Sequence, residues 1–319
     1  MTRPILVGYD PTTSDHAPVE FAVAAAGLLG APLIVLSVQA GAPFLPVGTG
    51  IGRVAAVVGP PDNDLVADCT QALAKLEREL SAAGVSAECR KLQSTRAARA
   101  LHEAAEAEDA GLLVVGSSRR GPLGRVAPGS TAARLLRGAP CPVTVVPRAW
   151  TARGVIGTIA VAYADSDEAR EALRGAYALA RHAGATLRAV TVVRPDVLYA
   201  RTEPHTAIRP PVDLTAVERE AKVKAEASLR AVVAEIGDDR TVEVDAFVGD
   251  PAEILIDLSE RLDLLICGSR GYGPLRAVLL GSVTRRVVAV AHCPVAVVPR
   301  GAEAALQDLV AESSGAAAP

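Results

Sequence analysis

Apolar and polar positions follow two rhythms along this chain, and they alternate in a fixed order. Nearly continuous apolar runs at 33–38 and 112–115 read as strands buried on both faces, with similar runs at 5–9 and 143–146. Between them the apolar spacing changes to three and four residues. Leu65, Cys69, Leu73, Leu76 and Leu80 form one such one-sided stripe. The first half therefore predicts helices at 17–29, 64–83, 96–108 and 130–137. The second half predicts strands at 159–163, 187–193, 242–248, 264–267 and 295–298, with helices at 168–182, 214–236, 252–261 and 282–291. Such alternation implies an α/β fold, with a parallel sheet, right-handed crossovers and helices on both faces. Stretches 41–61 and 194–211, rich in Gly, Pro or Arg, read as loops after the second strand of each half.

The two halves are copies of one unit. Gly116-Ser117 recurs as Gly268-Ser269, Gly121-Pro122-Leu123 as Gly273-Pro274-Leu275, Gly129-Ser130 as Gly281-Ser282 and Cys141-Pro142 as Cys293-Pro294, all at an offset of 152. The run Ile5-Leu6-Val7-Gly8-Tyr9 is echoed by Ile159-Ala160-Val161-Ala162-Tyr163. So long a period means a duplicated domain, not a solenoid. The expected units are 1–150 and 151–301, with 302–319 as a disordered tail.

Composition narrows the function. Half the residues are apolar and 22% are charged, which excludes a disordered chain. A net charge of −3 argues against a phosphate-backbone binder, and 3% aromatics against stacking on single strands. The apolar run near the start meets Asp10 before a signal-peptide core could form, and Arg285 and Arg286 cut the most apolar late stretch. A cytoplasmic protein that avoids membranes and nucleic acid is expected. Cys69, Cys89, Cys141, Cys267 and Cys293 form no CxxC and are odd in number, which suits reduced thiols. The five histidines have no metal-ligand spacing.

The chemistry lies in the glycine-rich stretch from Gly268 to Ser282, between a strand end and a helix start. Parallel sheets bind ligands beyond the carboxyl ends of their strands, and glycines there allow close backbone approach. Gly281-Ser282 presents unpaired amides at a helix N-terminus, which suits an anion; the same residues would also serve as turn and cap. Neither G-x-x-x-x-G-K-[ST] nor an early dinucleotide fingerprint is present. Asp10, ahead of Pro11-Thr12-Thr13, reads equally as turn or site residue. Asp62-Asn63-Asp64 reads as a helix cap, and His292-Cys293 as packing and turn chemistry.

The pattern Gly268-x2-Gly271-x9-Gly281-Ser282, the first strand ending in Tyr9-Asp10 and the Cys-Pro-Val-x-Val-Val-Pro strand of each half resemble the universal stress protein family, in its tandem actinobacterial form. The resemblance implies two Rossmann-like domains of the adenine nucleotide α-hydrolase type. Each would have a five-stranded parallel sheet, and the halves would pair through strands 143–146 and 295–298. It implies ATP, with or without Mg2+, as ligand. The adenine-facing acid maps to Asp10, whereas its counterpart is Ala164 with Asp165 displaced by one; the apolar base contacts map to Val38 and Val192. The phosphate and ribose loop maps to Gly268, Gly271, Gly281, Ser282 and Val283, and in the first half to Gly116, Gly129, Ser130 and Thr131, with Arg119 replacing the second glycine. Arg119, Arg120 and Arg125 could block that loop or pair with phosphates. Several backbone donors outweigh one contact to adenine, which favours the second half. No nucleophile, general base or paired carboxylates accompany the loops, so at most slow ATP hydrolysis is expected. The expectation is an ATP-binding stress-signalling module with an unidentified protein partner and a compatible homodimer; the alternative is a nucleotide-free scaffold.

Overall fold

The computed structural model describes residues 3–39, 63–118, 121–152, 156–195, 214–237, 242–269, 280–299 and 310. Strands β1 (Ile5–Gly8), β2 (Leu33–Gln39), β3 (Ala87–Gln93), β4 (Leu112–Gly116) and β5 (Val143–Val146) belong to the first half. Strands β6 (Thr158–Tyr163), β7 (Thr186–Val193), β8 (Val242–Val248), β9 (Leu264–Gly268) and β10 (Val295–Val298) belong to the second. They form one ten-stranded sheet in the order β3-β2-β1-β4-β5-β10-β9-β6-β7-β8. Every pairing is parallel except the central one. There β5 and β10 run antiparallel, with Ala296 opposite Thr144. The two five-stranded units thus meet edge to edge through their last strands, and each covers the other's open edge.

Helices lie on both faces. α1 (Ala17–Leu29), α2 (Asn63–Ala82), α5 (Asp167–Ala183) and α6 (Leu214–Ile236) share one apolar core with the sheet. α3 (Ala97–Ala107), α4 (Ser130–Leu135), α7 (Pro251–Leu258) and α8 (Ser282–Val290) share the other. Successive strand residues alternate between the cores: Leu113 and Leu265 on one side, Leu112 and Leu264 on the other. Both cores run uninterrupted across the junction. Each fully buried Leu or Ile contributes roughly 1.5–3 kcal/mol, so the seam is held by the same force as each interior. His182 Nε2 lies 2.8 Å from the Leu28 carbonyl and ties α5 to α1, and Phe21 packs edge-on against Trp150. Val310 is buried in the α1/α5 core beside Phe21, Ile156 and Leu179; the other residues of the segment 302–319 lie outside the described residues.

Local signals explain most element ends. Gly30 and Gly184 terminate α1 and α5 with φ of 57° and 62°, which glycine tolerates without cost. Ser166 caps α5 by accepting from the Ala169 amide, and Asp250 caps α7 by accepting from the Ala252 and Glu253 amides. α1, α6, β8 and β10 match the sequence pattern residue for residue. β3 is an addition to that pattern. Its charged, alternating Ala-Glu-Cys-Arg-Lys-Leu-Gln suits an exposed sheet edge and hides the strand from an apolar search. The helix expected over 252–261 ends at Leu258 and tightens to a 3-10 turn over Ser259–Arg261. α4 stops at Leu135, before Arg137-Gly138. The Arg137 and Gly138 amides turn back only three residues, to Arg134 and Leu135. Its counterpart α8, with Ala289-Val290 at those positions, runs nine residues.

Candidate functional site

The candidate site of the second half is built at the carboxyl ends of β6, β7 and β9 and the start of α8. Gly268 ends β9, and the chain re-enters the described residues at Leu280. Gly271 and the Arg119-Arg120 pair of the first half lie outside them. Gly281 is the N-cap of α8, and no side chain among the described residues caps that helix. Thr284, buried in the first turn, donates its hydroxyl to the Gly268 carbonyl at 2.9 Å. This bond pins the helix start against the end of β9. Ser282 is exposed beside it, while Val283 packs half-buried on the α7/α8 side together with Val192 at the end of β7 and Phe247 at the end of β8. An uncapped helix start with apolar walls nearby suits a ligand that is anionic at one end and flat and apolar at the other.

Charge around the site is arranged across α7 and α8. Arg286 donates to Asp250 at 2.7 Å and reaches Glu253 at 3.5 Å. The Glu253 amide first, then Arg286, hold the Asp250 carboxyl below the ordinary carboxylate range. Arg285 is exposed on the same helix, and its first turn carries no acid. The acid displaced in sequence, Asp165, does not join this site. It accepts from Tyr163 at 3.3 Å and Arg170 at 3.2 Å. Tyr163 belongs to the α5/α6 core, on the sheet face opposite Val192 and Val283. Ala164, exposed at the end of β6, offers no hydrogen bond from its side chain.

The first half arranges the same motif differently. Gly116 ends β4, and a Cβ there would lie 2.9 Å from Pro18 Cγ of α1, so packing alone demands glycine. A Cβ on Gly268 would meet no described residue within 4 Å. The loop from Ser117 to Pro128 is bonded to itself. The Ser117 hydroxyl donates to the Val146 carbonyl at 2.8 Å and accepts from the Ala127 amide at 3.1 Å. The Ser118 amide donates to the Ala127 carbonyl and the Gly121 amide to the Ser118 carbonyl. Arg148 Nη1 reaches the Gly121 carbonyl, and the Gly124 amide returns to the Arg148 carbonyl. Arg125 is exposed. Gly129, at φ −72° and ψ 177°, is the N-cap of the six-residue α4, which like α8 has no side-chain cap among the described residues; Ser130 is exposed and Thr131 half-buried. Val38 packs half-buried on the α3/α4 side. Asp10 is exposed and its Oδ1 accepts from the Thr12 amide at 3.1 Å and the Thr12 hydroxyl at 2.6 Å. The turn reading of Asp10 thus has its bonds, and they engage one oxygen of the carboxylate.

Of the remaining candidates, Cys293 is buried core. The His292 amide donates to Ser259 and His292 Nδ1 lies 3.2 Å from Glu260. Asp62 lies outside the described residues; α2 begins at Asn63. The five cysteines are free, and burial pushes the thiols of Cys141 and Cys267 up to about 12. Among the described residues no group of three or more His, Cys, Asp or Glu side chains could hold a metal, and no helix is long and apolar enough to cross a membrane. Thr284 is the site residue that motif reasoning missed. Its only sequence signal is a hydroxyl where the first half has Ala132.

Comparison with known proteins decides the family. The model of the universal stress protein family matches residues 1–147 and again 156–299. The chain belongs to the universal stress protein family. A universal stress protein of Mycolicibacterium smegmatis is 30% identical over 308 residues, covering 92% of this chain and 96% of the relative. One from Thermus aquaticus is 36% identical over 148 residues, 44% of this chain and 97% of that protein. A Mycobacterium bovis relative is 30% identical over 206 residues, and the match spans 62% of its length. Among solved structures, a putative universal stress protein from Pseudomonas aeruginosa aligns over 98% of both chains with TM-score 0.64 at 19% identity. One from Archaeoglobus fulgidus aligns over 94% of this chain and all of that chain, with TM-score 0.63 at 20% identity. These structures share the tandem fold.

Proposed function

We propose that this universal stress protein binds ATP in its second half and acts as a nucleotide-responsive module of stress signalling, with little or no turnover. The observation that carries the reading is the Thr284 hydroxyl pinning the start of α8, which no side chain among the described residues caps, to the end of β9 at the carboxyl edge of a parallel sheet. Gly268, Gly281, Ser282 and, by family resemblance, Gly271 would receive the phosphates and ribose. Val283 and Val192 would wall the adenine. The residues fit a polyphosphate because the donors are amides and a hydroxyl with no acid in the first helical turn. Mg2+ would enter as a counter-ion on the phosphates. Asp10, Val38, Gly116, Gly129, Ser130 and Thr131 mark the equivalent place in the first half, where a self-bonded loop and a six-residue helix favour a scaffold role over ligand binding. We assign the units to 1–150 and 151–301. Five free cysteines favour the cytoplasm.

Mass spectrometry of nucleotide co-purified with the protein, followed by calorimetry with ATP, tests this. Gly281 has φ −56° and ψ 149°, a conformation valine adopts without strain. Gly281→Val should therefore fold normally and lose at least about tenfold in ATP affinity, about 1.4 kcal/mol, by filling the phosphate position. Gly129→Val should bind like the parent. The reverse outcome moves the site to the first half. Neither co-purified nucleotide nor heat of binding would establish the nucleotide-free scaffold, and sustained magnesium-dependent phosphate release an ATP-consuming enzyme.

A further inference from the structure

The first half's loop has a destination outside its own unit. Val126, fully buried at 0% exposure, donates its amide to the Ala291 carbonyl of the second half at 2.7 Å. Ala291 is the C-cap of α8, and Val126 shares one apolar core with Val287, Val288 and Ala291. The loop that carries Val126 is held in shape by the Ser117–Ala127, Ser118–Ala127 and Gly121–Arg148 bonds. Gly121 is required for that shape, since a Cβ on it would lie 2.5 Å from Ala127 Cβ. The described residues of this stretch thus bond to one another, and Val126, their one buried apolar residue, sends its amide across the seam.

We propose that the described loop residues 117–118 and 121–128 form a clasp by which the first half grips the carboxyl end of α8, and that Val126 is a positioning residue for the site at that helix's other end. The clasp stands on the geometry above, while its coupling to ligand rests on the nucleotide reading of the second half. α8 spans only nine residues, about 13 Å at 1.5 Å per residue. A grip at its C-cap restrains the tilt and fraying of the same short rod whose first-turn amides meet the phosphates. Coupling between two sites is reciprocal: whatever factor the clasp adds to ATP affinity, ATP adds to closure of the clasp.

Amide hydrogen exchange on the full chain reads both ends. Opening the clasp with Val126→Asp, or with Gly121→Val where the first change prevents folding, should accelerate exchange at Val287, Val288 and Ala291 about tenfold or more. The Leu6 and Val7 amides of β1 should stay as protected as in the parent. Equal exchange at α8 in parent and variants overturns the clasp, whatever ATP does. In the parent, saturating ATP should slow exchange of the Val126 amide, and the variants should bind ATP at least about fivefold more weakly. ATP binding that leaves the Val126 amide unchanged overturns the coupling and leaves the nucleotide reading standing. A parent that binds no ATP removes that reading and the coupling together, while α8 exchange still judges the clasp.

Discussion

Replacing Thr284 by Val removes one hydroxyl and keeps the shape of the side chain. Thr284 is 6% exposed, and its hydroxyl donates to the Gly268 carbonyl at 2.9 Å. The substitution leaves that carbonyl, on the half-buried Gly268, without this donor. Stranding a buried acceptor costs about 1–3 kcal/mol, more than the ~1 kcal/mol net value of an average hydrogen bond. For a chain of 319 residues, about 2 kcal/mol lowers the thermal midpoint by roughly 3 °C. The functional consequence is separate from the stability loss. The bond fixes the start of α8 relative to β9, so its loss lets the first-turn amides splay, and ATP affinity should fall about fivefold. Thr284→Ser keeps the hydroxyl and loses only a methyl, so it should bind ATP like the parent despite a loss of about 1 kcal/mol in stability. Denaturant titration and calorimetry on both variants measure the two effects. If the Val and Ser variants bind ATP equally, the Thr284–Gly268 bond has no role in shaping the site, and the argument from it fails.

Other expected outcomes follow from single contacts. Asp250→Ala loses the α7 cap and the Arg286 pair, and denaturant unfolding should show a loss of about 1 kcal/mol. Because the folded-state pKa of Asp250 is depressed, its contribution is present above the unfolded value of about 3.9 and fades as pH falls through the lower folded value. The pH dependence of unfolding below about pH 4 should therefore be shallower in Asp250→Ala than in the parent. Cys141, Cys267 and Cys293, all buried with raised thiol pKa values, should resist iodoacetamide at pH 8 in the folded protein and react in denaturant, read by peptide mass spectrometry.

Where one local physical rule dominates, the elements were legible in the sequence. The apolar runs at 33–38 and 112–115 became inner strands because burial on both faces selects apolar residues, with Ser37 the one buried polar exception in the two runs. β3 was hidden for the opposite reason: an edge strand carries Glu88, Arg90 and Lys91 without penalty, and Arg90 gains pairs with Glu88 and Glu108. The phosphate-loop candidates were legible as a motif, but their fate was not. Gly116 and Gly268 occupy the same place in the repeat, yet one is required by Pro18 and the other is not crowded by any described residue. Ser117 and Ser269 are likewise equivalent, and both amides bond the last strand of their half. What separates the halves among the described residues is tertiary: whether Pro18 crowds the glycine at the strand end, and whether a hydroxyl at position 284 reaches back to the strand.

Duplication relaxes the demand that both copies keep one job, and the two loops show how divergence can proceed without harm to the fold. The sheet order and the antiparallel β5–β10 seam need only the strands, and both cores continue across the seam whichever way the loops fold. The first loop therefore carries Arg119 in its sequence and bonds to Arg148 and Ala291 without disturbing a strand. In a homodimer of single units any such change appears twice, so a loop that turned to grip its neighbour would close both sites at once. A tandem chain escapes that symmetry. Its two loops differ in sequence, with Arg119 where the other copy has Gly271, so each can be selected separately, which a symmetric dimer of one sequence does not allow.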